Sequence, residues 1–133
     1  MDIFKKLFKR RKEIKKAPHL ELGEKGEAEA CKYLKKKRYK ILEKCFSCKL
    51  GEIDIIAKDE ASLCFIEVKC RSSNSFGHPE EAITWEKKRR IKKVAEYYML
   101  LHKITNVNCR YDVVAILETK EGKRKINLIK NAF

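Results

Sequence analysis

Two apolar runs rich in β-branched residues, Gly51 to Ala57 and Leu63 to Arg71, flank the short polar stretch Lys58-Asp59-Glu60-Ala61-Ser62. Runs of this kind predict core strands, and so short a turn makes them an antiparallel pair. Upstream, Leu20 to Lys37 repeats small and apolar residues at three- and four-residue steps (Leu20, Gly23, Gly26, Ala30, Cys31, Leu34), which predicts an amphipathic helix. Tyr39 to Phe46 reads as a first strand. Ser72 to Pro79 is a loop by composition, and a second helix starts near Pro79 or after the cap-like Thr84, burying Ile91, Val94, Ala95, Tyr98 and Leu101. Arg110 to Leu117 and Arg124 to Ile129 are strands joined by a turn at Glu121-Gly122. The order is helix, three strands, helix, two strands. It predicts an α/β three-layer sandwich, a mixed central sheet flanked by helices.

Charge changes this picture inside the hairpin. Asp54, Glu67 and Lys69 sit in otherwise apolar strands, where an ionised group costs several kcal/mol, roughly, unless it is paired or holds a metal. A turn centred on Glu60-Ala61 sets Asp54 opposite Glu67, with Cβ atoms about 4.5–5.5 Å apart. The two-residue period then brings Lys69 to the same side. Opposed carboxylates repel, so the arrangement makes most sense around a divalent cation with a preference for hard oxygen ligands. Glu27 is a further acid, on the packed side of the first helix. Taken alone it reads equally as an edge residue reaching solvent or as a functional carboxylate. Asp112 also interrupts an apolar run, and a salt bridge to Arg110 or to the long helix explains it better than a ligand role.

The 133 residues, 44% of them apolar, suit one domain over 18–133. Its 33 Lys and Arg against 19 Asp and Glu leave a net charge of +14, which attracts polyanions. The excess is clustered: Lys87, Lys88, Arg89, Arg90, Lys92 and Lys93 crowd the start of the long helix, where a phosphate backbone could be held. Residues 1–17 carry eight basic and two acidic side chains among Ile3, Phe4, Leu7 and Phe8. That segment could be a short amphipathic helix on phosphates or an anionic membrane surface, or a frayed terminus. No secretory core and no apolar run of spanning length are present, which places the chain in a reducing cytoplasm. Of the six cysteines, Cys45 and Cys48 have the spacing of a zinc half-site without a second half, so structural zinc is disfavoured.

Asp54, twelve residues, then Glu67-Val68-Lys69 resembles the signature of the PD-(D/E)XK nuclease superfamily, whose restriction-endonuclease-like core has the order αβββαβ. More closely, six ordered blocks resemble the YraN family. They are Gly23-x-x-Gly26-Glu27-x-x-Ala30, Gly51-Glu52-Ile53-Asp54, Phe65-Ile66-Glu67-Val68-Lys69-x-Arg71, Thr84-x-x-Lys87, Arg110-Tyr111-Asp112-Val113-Val114 and Asn131-Ala132-Phe133. The family's usual Asn-x-Arg before Gly-Glu-Ile-Asp is replaced here by Cys45-Phe46-Ser47, which puts one polar contact near the site in doubt.

The resemblance implies a metal-dependent endonuclease, similar to Holliday-junction resolvases, in which Glu27 joins Asp54 and Glu67 as a metal ligand. Asp54, Glu67 and the Val68 carbonyl would hold Mg²⁺ or Mn²⁺ against a phosphodiester, and Lys69 would orient a water or share the new negative charge. Glu52 and Arg71 would stand just outside the ligands or pair with neighbouring charges. The partner implied is nucleic acid, DNA ahead of RNA and branched DNA included, and a resolvase-like role favours a two-fold homodimer. The competing expectation is a nucleic-acid-binding protein on the same fold without turnover.

Overall fold

A computed structural model describes residues 18–72 and 83–133. The basic segment 1–17 and, apart from Ser72, the loop expected over 72–79 lie outside them, and Ser72 itself ends a strand. Seven elements follow one another: α1 (Pro18–Lys36), β1 (Lys40–Cys48), β2 (Gly51–Asp59), β3 (Ser62–Ser72), α2 (Trp85–Leu101), β4 (Asn108–Glu118) and β5 (Arg124–Ile129). The expected order is observed, and the fold is an α/β sandwich with a five-stranded mixed sheet.

Helix ends are set locally. Pro18 opens α1, where its missing N–H costs nothing, and Lys35 and Lys36 in the last turn oppose the negative end of the helix dipole. Arg38 turns left-handed at φ 68°, and the N–H groups of Arg38 and Tyr39 close back on the carbonyls of Lys35 and Leu34 at 3.0 and 2.9 Å. This is the Schellman closure, here without the usual glycine. Thr84 starts α2: it is extended, and its Oγ1 accepts from the Lys87 N–H at 3.1 Å. The helix therefore begins at the second of the two positions its sequence allowed.

The strands lie in the order β1-β2-β3-β4-β5. All neighbours are antiparallel except β3 and β4, which α2 connects as a parallel crossover. Helix α1 covers one face, where Ala30, Cys31 and Leu34 meet Ile55, Ala57, Cys64, Ile66, Val114 and Ile116. Helix α2 covers the other, where Ile91, Val94, Ala95 and Tyr98 meet Phe46, Ile53, Leu63 and Phe65. Covering on both faces explains why β3 and β4 read as near-continuous apolar runs.

Close approach of α1 depends on Gly26. A Cβ there would come within 2.6 Å of Cys70 Sγ. Gly26→Ala is expected to destabilise the fold by about 1–3 kcal/mol through overpacking. In a Cys70→Ala background the same change should become neutral or stabilising, because the better helix propensity of alanine is then unopposed. A double-mutant cycle by urea denaturation reads the reversal.

The β2 and β3 ladder runs from Asp59↔Ser62 to Ile55↔Ile66 around a two-residue turn, with Glu60 left-handed at φ 54°. One more step would set Asp54 opposite Glu67, as the sequence predicted. The backbone ladder stops there instead. From Glu67 onward β3 stays paired with β4, while β2 stays paired with β1 through Phe46↔Ile53. The two strands part, and polar chemistry occupies the opening.

Candidate active site

Asp54 stands where the strands part, and its carboxylate serves as a substitute ladder partner. Its Oδ2 accepts from the Val68 N–H at 2.8 Å, satisfying a donor that the departing strand would otherwise orphan. Glu67 follows on β3 and is 3% exposed. Its Oε2 lies 3.0 Å from Lys87 Nζ, which arrives from the first turn of α2. The structure thus gathers Asp54, Glu67, Lys69 and Lys87 around one opening, two carboxylates and two ammoniums from three elements.

These charges tune one another. Burial, then the negative charge of Asp54, pushes the Glu67 carboxyl up to about 7, against the pull of Lys87 and Lys69. Asp54 is also raised by burial, opposed by the Val68 N–H and Lys87. Lys69 is lowered, first by burial and then by the neighbouring Lys87 ammonium. Burial would lower Lys87 too, but the Glu67 carboxylate reverses the sign and holds it above its ordinary value. The two lysines are consequently unequal: Lys69 parts with a proton more readily, and Lys87 remains a firm cation.

Glu27 has a different immediate partner. Its Oε2 accepts from Cys45 Sγ at 2.5 Å, and Cys45, left-handed at φ 52°, lies between Lys44 and Phe46, which pair with Ile55 and Ile53 on either side of Asp54. Among the described residues no three His, Cys, Asp or Glu side chains are close enough to hold a metal ion together. The three-carboxylate set of Glu27, Asp54 and Glu67 is thus not assembled; the pair Asp54 and Glu67 is. Two juxtaposed, largely buried carboxylates remain hard oxygen donors of the kind Mg²⁺ and Mn²⁺ prefer, so the pair and the adjoining Val68 carbonyl fit such an ion in chemistry.

Glu52 is exposed and near enough to raise Asp54 further, and Arg71 lies four residues beyond Glu67 on β3, half-buried. The basic run of α2 divides by helical rotation. Lys87 enters the site, and the stem of Arg90 packs over Gly51, where a Cβ would meet Arg90 Cδ at 2.9 Å. Lys88, Arg89 and Lys92 lie over aromatic rings, and Lys93 is exposed. Sequence reasoning placed Lys87 among the phosphate contacts and missed its partnership with Glu67. The Thr84 cap, which fixes where the first turn starts, was the available signal.

Asp112 is fully buried and pairs with Arg110 at 2.9 Å, the structural role expected of it. No helix among the described residues is long and apolar enough to cross a membrane.

The model of the uncharacterised protein family UPF0102 matches residues 26–116, a span that contains Glu27, the whole hairpin and Lys87. A UPF0102 protein of Caldicellulosiruptor saccharolyticus is 51% identical over 114 residues, covering 85% of this chain and 97% of that one. UPF0102 proteins of Clostridium botulinum and Desulforamulus reducens are 49% and 42% identical over 115 residues, covering 85% and 84% of this chain and 94% of each of theirs. The chain belongs to the uncharacterised protein family UPF0102, the YraN family that its six sequence blocks resemble.

Proposed function

We propose that this protein hydrolyses phosphodiester bonds in nucleic acid, DNA in preference to RNA, at the opening between β2 and β3. The observation that carries the reading is the meeting of Asp54 and Glu67 beside Lys69 and Lys87, with Glu67 raised to about 7. Asp54 and Glu67, with the Val68 carbonyl, would hold Mg²⁺ or Mn²⁺. The bound ion would supply an acidified water and charge neutralisation at the phosphate. Lys69, with its weakened hold on its proton, is suited to orient that water and to pass a proton to or from it. Lys87 can turn from Glu67 to a phosphate oxygen of an entering strand, keeping a positive charge where negative charge develops. Glu27, whose Oε2 accepts from Cys45, would join the ligand set through its other oxygen or by a turn of its side chain. The net charge of +14 favours a polyanionic substrate, and a two-fold homodimer would suit a branched one.

The Lys87 to Glu67 ion pair favours a second reading, a binding protein without turnover, since it already satisfies one carboxylate. The two part in one experiment. Single-stranded, duplex and branched DNA and RNA are incubated with Mg²⁺ or Mn²⁺ and either the native protein or Glu67→Ala. Cleavage of at least one substrate, lost in the variant while salt-sensitive binding survives, is the expected result. Tight binding with no cutting of any substrate would leave the binding protein as the answer.

A further inference from the structure

Along one flank of α2 lie three aromatic rings, Trp85 of its own first turn, Tyr111 of β4 and Phe133 after β5, each beneath a basic side chain of α2. Arg89 lies over Trp85 at 5.6 Å, Lys88 over Phe133 at 5.7 Å and Lys92 over Tyr111 at 5.5 Å. Spacing of three and four residues sets 85, 88, 89 and 92 side by side along the helix. A single cation over a ring is ordinary, about one per 70–80 residues. Three in a row, starting two residues from Lys87, form a surface. The floor is fixed: Tyr111 stacks on Phe133 at 5.4 Å and on Phe65 of the core at 5.7 Å, and the Ala132 N–H donates to the Tyr111 carbonyl at 2.7 Å. Trp85 differs, because its ring is 68% exposed. An indole this exposed, beneath an exposed guanidinium, gains little from the fold and much from a flat partner.

We infer that this flank is a track for a single strand of nucleic acid, with a base stacked on Trp85 and the next passing over Phe133, while Tyr111, stacked on both Phe65 and Phe133, braces the floor beneath. Lys88 and Arg89 exchange their rings for phosphates as the strand settles, since stacking a base gains more than a cation gains over a ring, and Lys92 stands beside them as a further cation. A duplex hides its base faces, so the track selects substrates with an unpaired segment. The inference rests on the hydrolytic reading only for what happens at the adjoining opening, where the same strand would meet Lys87.

Trp85 is the chain's one tryptophan, so its fluorescence reports the track directly. The full chain, in EDTA so that nothing is cut, is titrated with a dT oligonucleotide and with a blunt duplex of equal length. Basic residues elsewhere add to both affinities, and the ratio is what is read. The single strand should quench Trp85 and the duplex should not. Trp85→Ala, followed by anisotropy of labelled strands, should weaken single-strand binding about tenfold and duplex binding less than twofold, with Trp85→Phe retaining most of the preference. Equal quenching by both, or equal loss for both, overturns the track. Quenching without any Glu67-dependent cleavage would keep the track and sink the hydrolytic reading, and cleavage without quenching would do the reverse.

Discussion

Asp112→Ala is expected to lower the stability of the fold by about 3–5 kcal/mol, a large share of what a domain of this size possesses. The carboxylate is fully buried and saturated. It accepts from Arg110 Nε and Nη2 at 2.9 Å each, from the Asn131 N–H at 2.9 Å and from the Tyr39 hydroxyl at 3.3 Å. Arg110 Nη2 continues to Tyr39 Oη at 2.6 Å and to Asp59 Oδ2 at 2.8 Å. Asp112 and Arg110 together therefore tie β4 to the end of β2, to Tyr39 just before β1 and to the segment after β5. Removing the Asp112 carboxylate leaves a guanidinium with only Asp59 to neutralise it and the Asn131 N–H without its acceptor. Asp112→Asn, which keeps an acceptor and loses the charge, should fall between. Urea denaturation followed by circular dichroism at neutral pH measures both, and a loss under about 1 kcal/mol for the alanine variant would show that the network is dispensable. Asp59 adds a pH signature. Hydrogen bonds from Arg110 and Lys130 hold its carboxyl below the ordinary 3.8, so its stabilisation is full above that value and is lost as pH falls through the lower folded one.

The hairpin was legible because a two-residue turn leaves little freedom: once Glu60-Ala61 is taken as its centre, the register from Asp59↔Ser62 to Ile55↔Ile66 is counting. Asp112 was legible for the same kind of reason, since Arg110 lies two residues away on one face of a strand. What could not be read is where pairing ends. Nothing in Gly51-Glu52-Ile53-Asp54 announces that β2 leaves β3 after Ile55 and that Asp54 then caps the Val68 N–H with its side chain. β2 lies between β1 and β3 and pairs with both through Ile55, so where it parts from β3 is a property of the whole sheet. The basic run of α2 hides a different kind of information. In sequence it is uniform, but a rotation of about 100° per residue sends Lys87 into the acids, Arg90 over Gly51 and Lys88, Arg89 and Lys92 onto the aromatic flank. Glu27 shows the limit of motif transfer. Its place in the helix matches, yet its immediate partner is set by Cys45, a residue outside the family's usual pattern.

Glu67→Gln is expected to abolish hydrolysis and at the same time to stabilise the metal-free protein. The change replaces one carboxylate oxygen by an NH₂ group and removes the anionic charge that pairs with Lys87, and a fall in rate of at least 10²–10³, roughly, is what losing one well-placed electrostatic group at a reacting centre costs. The stability gain follows from burial. Glu67 ionises at about 7 in the fold against an ordinary 4.5, so the folded state holds the proton more tightly than the unfolded chain does. Stability therefore declines as pH rises from near 4.5 and levels off above 7, a total of about 3 kcal/mol by linkage. Glutamine keeps the shape, carries no charge and should flatten that decline. In chelator, denaturation from pH 5 to 8 should show native stability falling relative to Glu67→Gln, and the variant ahead at pH 8. Adding Mg²⁺ should narrow the difference at pH 8, because an ion bound to the native carboxylates stabilises the folded state by mass action, whereas the variant has lost one donor. Parallel pH curves for the two proteins would mean that Glu67 is ordinarily solvated, and an acid so placed would have no reason to sit between β2 and α2.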